Sequence, residues 1–244
     1  MPDQPDPFIA AASMEGVPSA FSATRDGIDA VLRDRGLRRS TPQDTAESLL
    51  IGAAATAQLE GDVVTPEELA QGAGGPTARG ALRMSGELLG LLPDWRRAPV
   101  QVIARLHALA AAGTEPDEDL GRPTNSAGAA RLQELGRLLT FSTRAPGLVV
   151  AALLHAEIAT ADAFTSHNGV VARAVERLVL VSTGVDPASV IVPEAGHAAA
   201  PNKYQQALAE YREADEAGVQ AWLTYAAGAF SFGAETSPLA RPAT

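Results

Sequence analysis

The sequence predicts an all-α protein with one main domain, and three observations carry that prediction. Apolar residues recur at intervals of three and four along most of the chain, with no alternating stretch of any length. Helix start signals, a Thr followed directly by Pro, occur at Thr41-Pro42 and Thr65-Pro66. Glycines or prolines close most of the periodic runs, at Gly36, Gly61, Pro93, Gly113, Gly184 and Gly218. The chain has 244 residues, with 46% hydrophobic and 20% charged, enough for a sizeable buried core.

Residues 1–17 read as an irregular, acidic and proline-rich arm, and 18–244 as the single helical domain. Phe21, Ile28, Leu32 and Arg35 share one helical face before Gly36. The next helix spans 42–60, from the Thr41 cap through Leu49, Leu50, Ala53, Ala54 and Ala57 to a stop at Gly61. Thr65 and Glu68 have the spacing of a capping box. Gly72 to Pro76 is a break, and Leu82, Gly86 and Leu89 continue a helix that Pro93 ends. Val100 to Ala112 is helical, with Leu106 and Leu109 inward. Residues 114–125 hold turn formers and acids without helical period, a loop or at most a short hairpin. Gly128 to Phe141 is helical again. Two apolar core helices follow, 147–160 and 170–183, the first apolar on nearly every side and so expected to be buried. Ala188 to Pro201 reads as mostly irregular. Tyr204, Leu208 and Tyr211 mark one last-quarter helix, and Val219, Trp222, Leu223, Ala226 and Phe230 the other. The total is about nine or ten helices.

Composition excludes several function classes. A net charge of −10 argues against nucleic acid or an anionic membrane as partner. With no cysteine there is no disulfide, thiolate catalysis or cysteine–zinc site. The apolar runs near Val150 and Val179 are broken by His155, Glu157, Arg173, Glu176 and Arg177, short of the roughly eighteen apolar residues of a membrane span. Met1 to Phe8 shows no secretory leader, so the cytoplasm is the expected compartment.

The polar loop from Asp162 to Gly169 opens onto the N-terminus of the second core helix, where unpartnered backbone N–H groups favour an anion. Its row, D-A-F-T-S-H-N-G-V-V-A-R from Asp162 to Arg173, resembles the Fic signature H-P-F-x-[D/E]-G-N-G-R-x-x-R. Phe164, Asn168, Gly169 and Arg173 match. Asp162 stands at the family's catalytic histidine, Ser166 at its metal-binding acid, His167 at its first glycine and Val170 at its first arginine. His155 falls at a family helix histidine seven residues before the catalytic one. Gly121-Arg122 loosely matches a family flap within 114–125. Thr56-Ala57-Gln58-Leu59-Glu60-Gly61 matches the family's inhibitory [S/T]-x-x-x-E-[G/N] pattern.

The resemblance implies a Fic-like helical domain, related to enzymes that transfer AMP from ATP to protein hydroxyls. In that family the histidine is the base, the acid holds magnesium on the nucleotide, and the Asn-Gly backbone and arginines hold phosphates. Asp162 is a weak substitute, since an unperturbed carboxylate is about two or three pKa units too acidic. Ser166 lacks charge for magnesium. The expected protein is therefore catalytically impaired. Asp162 and His167 are its catalytic candidates, and Phe164, Ser166, Asn168, Gly169 and Arg173 its nucleotide or phosphate contacts. Thr56, Glu60 and Gly61 are the inhibitory set, and no residue is assigned as a resident metal ligand. ATP with magnesium and a protein target are the ligand and partner implied. Two other readings stay open: an active enzyme with altered donor chemistry, using Asp162 or His167 as base, and a purely protein-binding regulatory module.

Three further expectations follow. Glu60 should meet Arg173, with the 42–60 helix docked over the loop, as the family's inhibitory pair does. Arg173, Glu176 and Arg177 share one helix face, and an intrahelical ion-pair cluster is the simplest account of them. His107, His155 and His197 show no metal-ligand spacing, His167 reads more simply as a loop histidine than as a base, and structural roles are the favoured reading for all four.

Overall fold

In the computed structural model, residues 6–34, 40–139, 143–213 and 215–240 are described. Arg35 and Gly36 of the first predicted helix, and Phe141 of the fifth, lie outside these residues. Among those described there is no strand; one isolated bridge joins Ala112 and Glu115, and 114–125 is a series of turns rather than a hairpin.

The centre is a pair of helices, α9 (Gly147–Thr160) and α10 (Asn168–Ser182). From Leu148 to Ile158 every residue of α9 except Glu157 is buried, so the helix is wrapped on all sides, as its apolar sequence requires. On one side lie α1 (Pro7–Ala12), α2 (Val17–Asp34), α12 (Pro201–Arg212) and α13 (Glu216–Glu235). The Trp222 indole N–H of α13 donates to the Ala152 carbonyl at 2.8 Å, which fixes the register of α13 on α9. On the other side α10 packs against α5 (Pro76–Leu88) and α7 (Pro99–Ala111). Helix α3 (Pro42–Leu59) leans on α5 and on α11 (Pro193–Ala199), and α8 (Ser126–Leu139) covers α7 and α9.

The predicted caps are present. Thr41 with Asp44, and Thr65 with Glu68 at the start of α4 (Pro66–Ala70), each form reciprocal capping boxes. Helix α10 starts two residues earlier than the expected 170, and four further boundaries differ. The arm is not irregular throughout: Asp6 caps α1, whose Phe8 and Ala11 are buried. Pro93 does not end a helix; it sits in the first turn of α6 (Leu92–Trp95), after a 3₁₀ turn at Leu89–Leu91. Helix α8 begins two residues early because the Asn125 side chain accepts from the N–H groups of Ala127 and Gly128. The 188–201 stretch contains α11, which has no apolar period; Gly196 lets its backbone pass against Ala229, where a Cβ would lie 2.0 Å from the carbonyl oxygen. No helix among the described residues is long and apolar enough to cross a membrane.

Candidate functional site

The loop between α9 and α10 is closed by one side chain. Asn168 Oδ1 accepts the Phe164 N–H at 3.0 Å, and its Nδ2 donates to the Phe164 carbonyl at 2.9 Å. Asn168 therefore shapes the loop and has spent its amide doing so. Phe164 is buried and stacks on His107 of α7, with ring centroids 4.1 Å apart and planes 7° from parallel. The Thr124 N–H donates to the Ala163 carbonyl at 2.9 Å, so the 114–125 turns are tied to the loop. His167, the residue before α10, has φ +60°, left-handed backbone that suits glycine far better than histidine.

Arg173 lies one turn inside α10, fully buried, with its guanidinium running back toward the helix N-terminus. Nη2 meets Glu60 Oε1 at 2.5 Å, Nη1 donates to the Tyr204 hydroxyl at 3.2 Å, and Nε donates to Thr56 Oγ1 at 3.3 Å. Burial alone would lower the Arg173 pKa; Tyr204 and Glu60 more than reverse this, so the cation is held. Glu60 ends α3, and Gly61, at φ +86°, turns the chain away after it. Its carboxylate reaches the start of α10: a Cβ on Gly169 would stand 3.1 Å from Glu60 Oε1. The predicted contact of Glu60 with Arg173 is thus present, and the carboxylate lies where the helix N-terminus would favour an anion.

The other candidates are placed differently. Asp162, at φ +47°, turns outward; its side chain is 65% exposed and pairs with Arg212 at 2.5 Å. Ser166 Oγ donates to Glu115 Oε1 and also meets His167 Nδ1. His107, Glu115 and His167 gather behind the loop, with His107 Nε2 3.6 Å from Glu115 Oε2. Burial lowers the pKa of both histidines, against the opposing pull of Glu115. The sequence offers one hint of this cluster, a histidine within the apolar face of α7 formed by Ile103, Leu106 and Ala110.

The expected intrahelical cluster on α10 does not form. Each charged residue is buried and reaches beyond α10, because a buried charge needs a close partner and its own helix face offers none. Arg177 forms a two-pronged pair with Glu194 of α11, at 2.9 and 2.6 Å, and also donates to Ser48 Oγ of α3 at 3.0 Å. Glu176 lies between His155 Nδ1, at 2.9 Å, and His197 Nε2, at 3.1 Å. Tyr204 and Tyr225 hydroxyls meet the far nitrogens of those rings at 2.9 and 3.1 Å. Ring N–H groups donating to Glu176, with the far ring nitrogens accepting from the tyrosine hydroxyls, satisfy every atom. Burial pushes the His155 pKa down to about 4, and the two histidines hold Glu176 at about 2 despite its burial.

No protein-family model matches the chain, and no curated protein matches it. Solved structures do. A Fic family protein from Desulfovibrio desulfuricans G20 superposes with a TM-score of 0.77 at 17% identity, covering 96% of this chain and 76% of that one. Fic-1 from C. elegans gives 0.72 at 15% identity, covering 94% and 73%. The chain has the Fic fold. At this identity the likeness speaks for the fold, and the chemistry has to be read from the residues. In the α9–α10 loop, Phe164, Asn168, Gly169 and Arg173 stand in a geometry that their side chains enforce. Magnesium on a nucleotide asks for anionic oxygen ligands. Ser166 brings none and is engaged by Glu115 and His167, while Asp162 is drawn off by Arg212. These residues do not fit that ion.

Proposed function

We propose that this Fic-fold protein is related to protein adenylyltransferases but has lost AMP transfer, and that it retains a phosphate-binding helix N-terminus kept shut by Glu60. The observation that carries this reading is the Glu60 carboxylate, held at 2.5 Å by Arg173 over the start of α10, in a loop whose base position faces solvent. Phosphate groups on a nucleotide would compete with that carboxylate for Gly169 N–H and Arg173. With Glu60 in place the site is already neutralised; with it removed, a buried cation and a helix N-terminus stand ready for an anion.

The test has two arms. Labelled ATP with magnesium should leave no stable label on the parent protein or on a mixed protein pool; a magnesium-dependent label on either overturns the loss of transfer. Glu60→Gly should bind ADP or ATP at least tenfold tighter than the parent by calorimetry, and equal affinity removes the phosphate-site reading. Transfer itself should require Asp162→His, Ser166→Asp and His167→Gly on top of Glu60→Gly. Val170→Arg is best omitted from that set, because Val170 is fully buried and an arginine there has no partner in view.

A further inference from the structure

We propose that His107, Glu115 and His167 form a site for a divalent transition-metal ion of the zinc class, on the 114–125 side of the loop. This stands independently of the loss of AMP transfer. Three side-chain atoms are buried without a hydrogen-bond partner here: His107 Nε2, Glu115 Oε2 and His167 Nε2. Buried polar atoms are normally paired, and three unpartnered atoms in one cluster of ligating side chains mark a place for something else. The candidate ligand atoms of the three residues lie within 4.8 Å of one another. His107 Nε2 and Glu115 Oε2, at 3.6 Å, already have the separation of two ligands on a tetrahedral ion. Ligand bonds of about 2.0–2.2 Å place such atoms roughly 3.3–3.6 Å apart.

The donor set chooses the ion. Two imidazoles and one carboxylate suit zinc and its neighbours, whereas magnesium and calcium prefer oxygen alone. Three protein ligands would leave a fourth position for water. The surroundings orient the ligands. His167 Nδ1 faces Ser166 Oγ, whose proton goes to Glu115 Oε1, so the His167 lone pair is free at Nε2. His107 is held flat by Phe164. Its Nδ1 accepts the Gly121 N–H at 3.0 Å, which places the proton of the neutral ring on Nε2. Ligation at Nε2 therefore moves that proton to Nδ1 and makes the Gly121 amide turn away, with no net proton released by this ring. A loaded site should be felt at Gly121, in the turns that cover the loop.

A water molecule is the competing occupant, since it can accept from His107 and donate to Glu115 and His167. The full chain is stripped with a chelator and titrated with zinc, cobalt(II) and magnesium. Zinc should bind one ion per chain and raise the melting temperature. Cobalt should give the intense visible absorption of a tetrahedral site, and magnesium should do neither. Glu115→Gln and His167→Gly should each weaken zinc binding at least tenfold while leaving the circular dichroism of the chelated protein unchanged. If Glu115→Gln does not fold, His167→Gly decides alone. In the parent, zinc should shift the Gly121 amide resonance. Absence of one-to-one zinc binding, variants that bind like the parent, or a crystal grown with zinc that shows water at the three atoms would each overturn the proposal.

Discussion

Among the described residues, two His–Glu–His clusters are present, and they behave in opposite ways. His155, Glu176 and His197 are closed: both carboxylate oxygens and all four ring nitrogens have partners, under Tyr204, Tyr225 and Trp222. His107, Glu115 and His167 are open, with one unpartnered atom on each residue. Residue type is the same, but burial differs: all of the closed set is buried, whereas Glu115 and His167 of the open set are half-buried. The closed set comes entirely from helices α9, α10 and α11, with the tyrosines of α12 and α13 completing it. The open set has one helical member, and Glu115 and His167 come from turns. Rigid helices bring donors and acceptors into a matched count; turns leave a surplus that an added ligand can use.

The comparison is broken most directly at Glu176. Replacing it by Ala strands two imidazole N–H donors among apolar and aromatic neighbours, and should cost about 3–5 kcal/mol in urea unfolding. Glu115→Ala in chelated protein should cost clearly less, because one of its oxygens has no partner to lose. Equal losses would mean that the two clusters do not differ as described.

Acid should act on the closed cluster next. His155 has its folded pKa pushed by burial to about 4, below its ordinary 6.5, so the unfolded chain takes up that proton first. Stability from this group is then complete above about pH 6.5 and falls as pH drops toward 4. Glu176, held at about 2 by its histidines against an ordinary 4.5, extends the loss over the next range down. The His155 ring proton resonances should therefore stay fixed between pH 7.5 and 5, while unfolding free energy declines. A ring that titrates near 6.5 removes this account.

How much of this was legible in the sequence depends on whether the cause is local. The Thr41 and Thr65 caps, the buried α9 and the lack of strands among the described residues rest on neighbours a few residues apart, and the structure agrees with each. The Glu60–Arg173 contact spans 113 positions and was visible only through the family pattern. The open cluster had no such guide, because sixty positions and three elements separate His107 from His167, at the spacing of no known motif. Helix α11 was hidden because its formation depends on Gly196 approaching Ala229. Asp162 was read from its place in the signature, but a left-handed backbone and Arg212 turn it outward.

Glu60 is intermediate between the clusters, since its partner is fully buried while its own side chain is 32% exposed. Glu60→Ala should cost about 1–2 kcal/mol, because Arg173 keeps Tyr204 and Thr56 and water can reach the gap. A loss as large as that of Glu176→Ala would place Glu60 in the closed network and make it a poor gate.

The smallest effect is the sharpest, since its sign should depend on metal. His167 holds φ +60°, and a non-glycine residue there carries roughly 1 kcal/mol or more of backbone strain. Its Nε2 is also buried without a partner. His167→Gly relieves both, but it loses the contact with Ser166 and gives the unfolded chain more freedom, which offsets about 0.4–1 kcal/mol. In chelator the variant should be slightly more stable than the parent, by about 0.5 kcal/mol. With zinc in excess the parent gains binding energy that the variant lacks, and the order should reverse. Paired urea titrations in chelator and in zinc read both signs at once. A variant less stable than the parent by more than about 1 kcal/mol in chelator would show that His167 is already satisfied, and that the cluster described as open is closed.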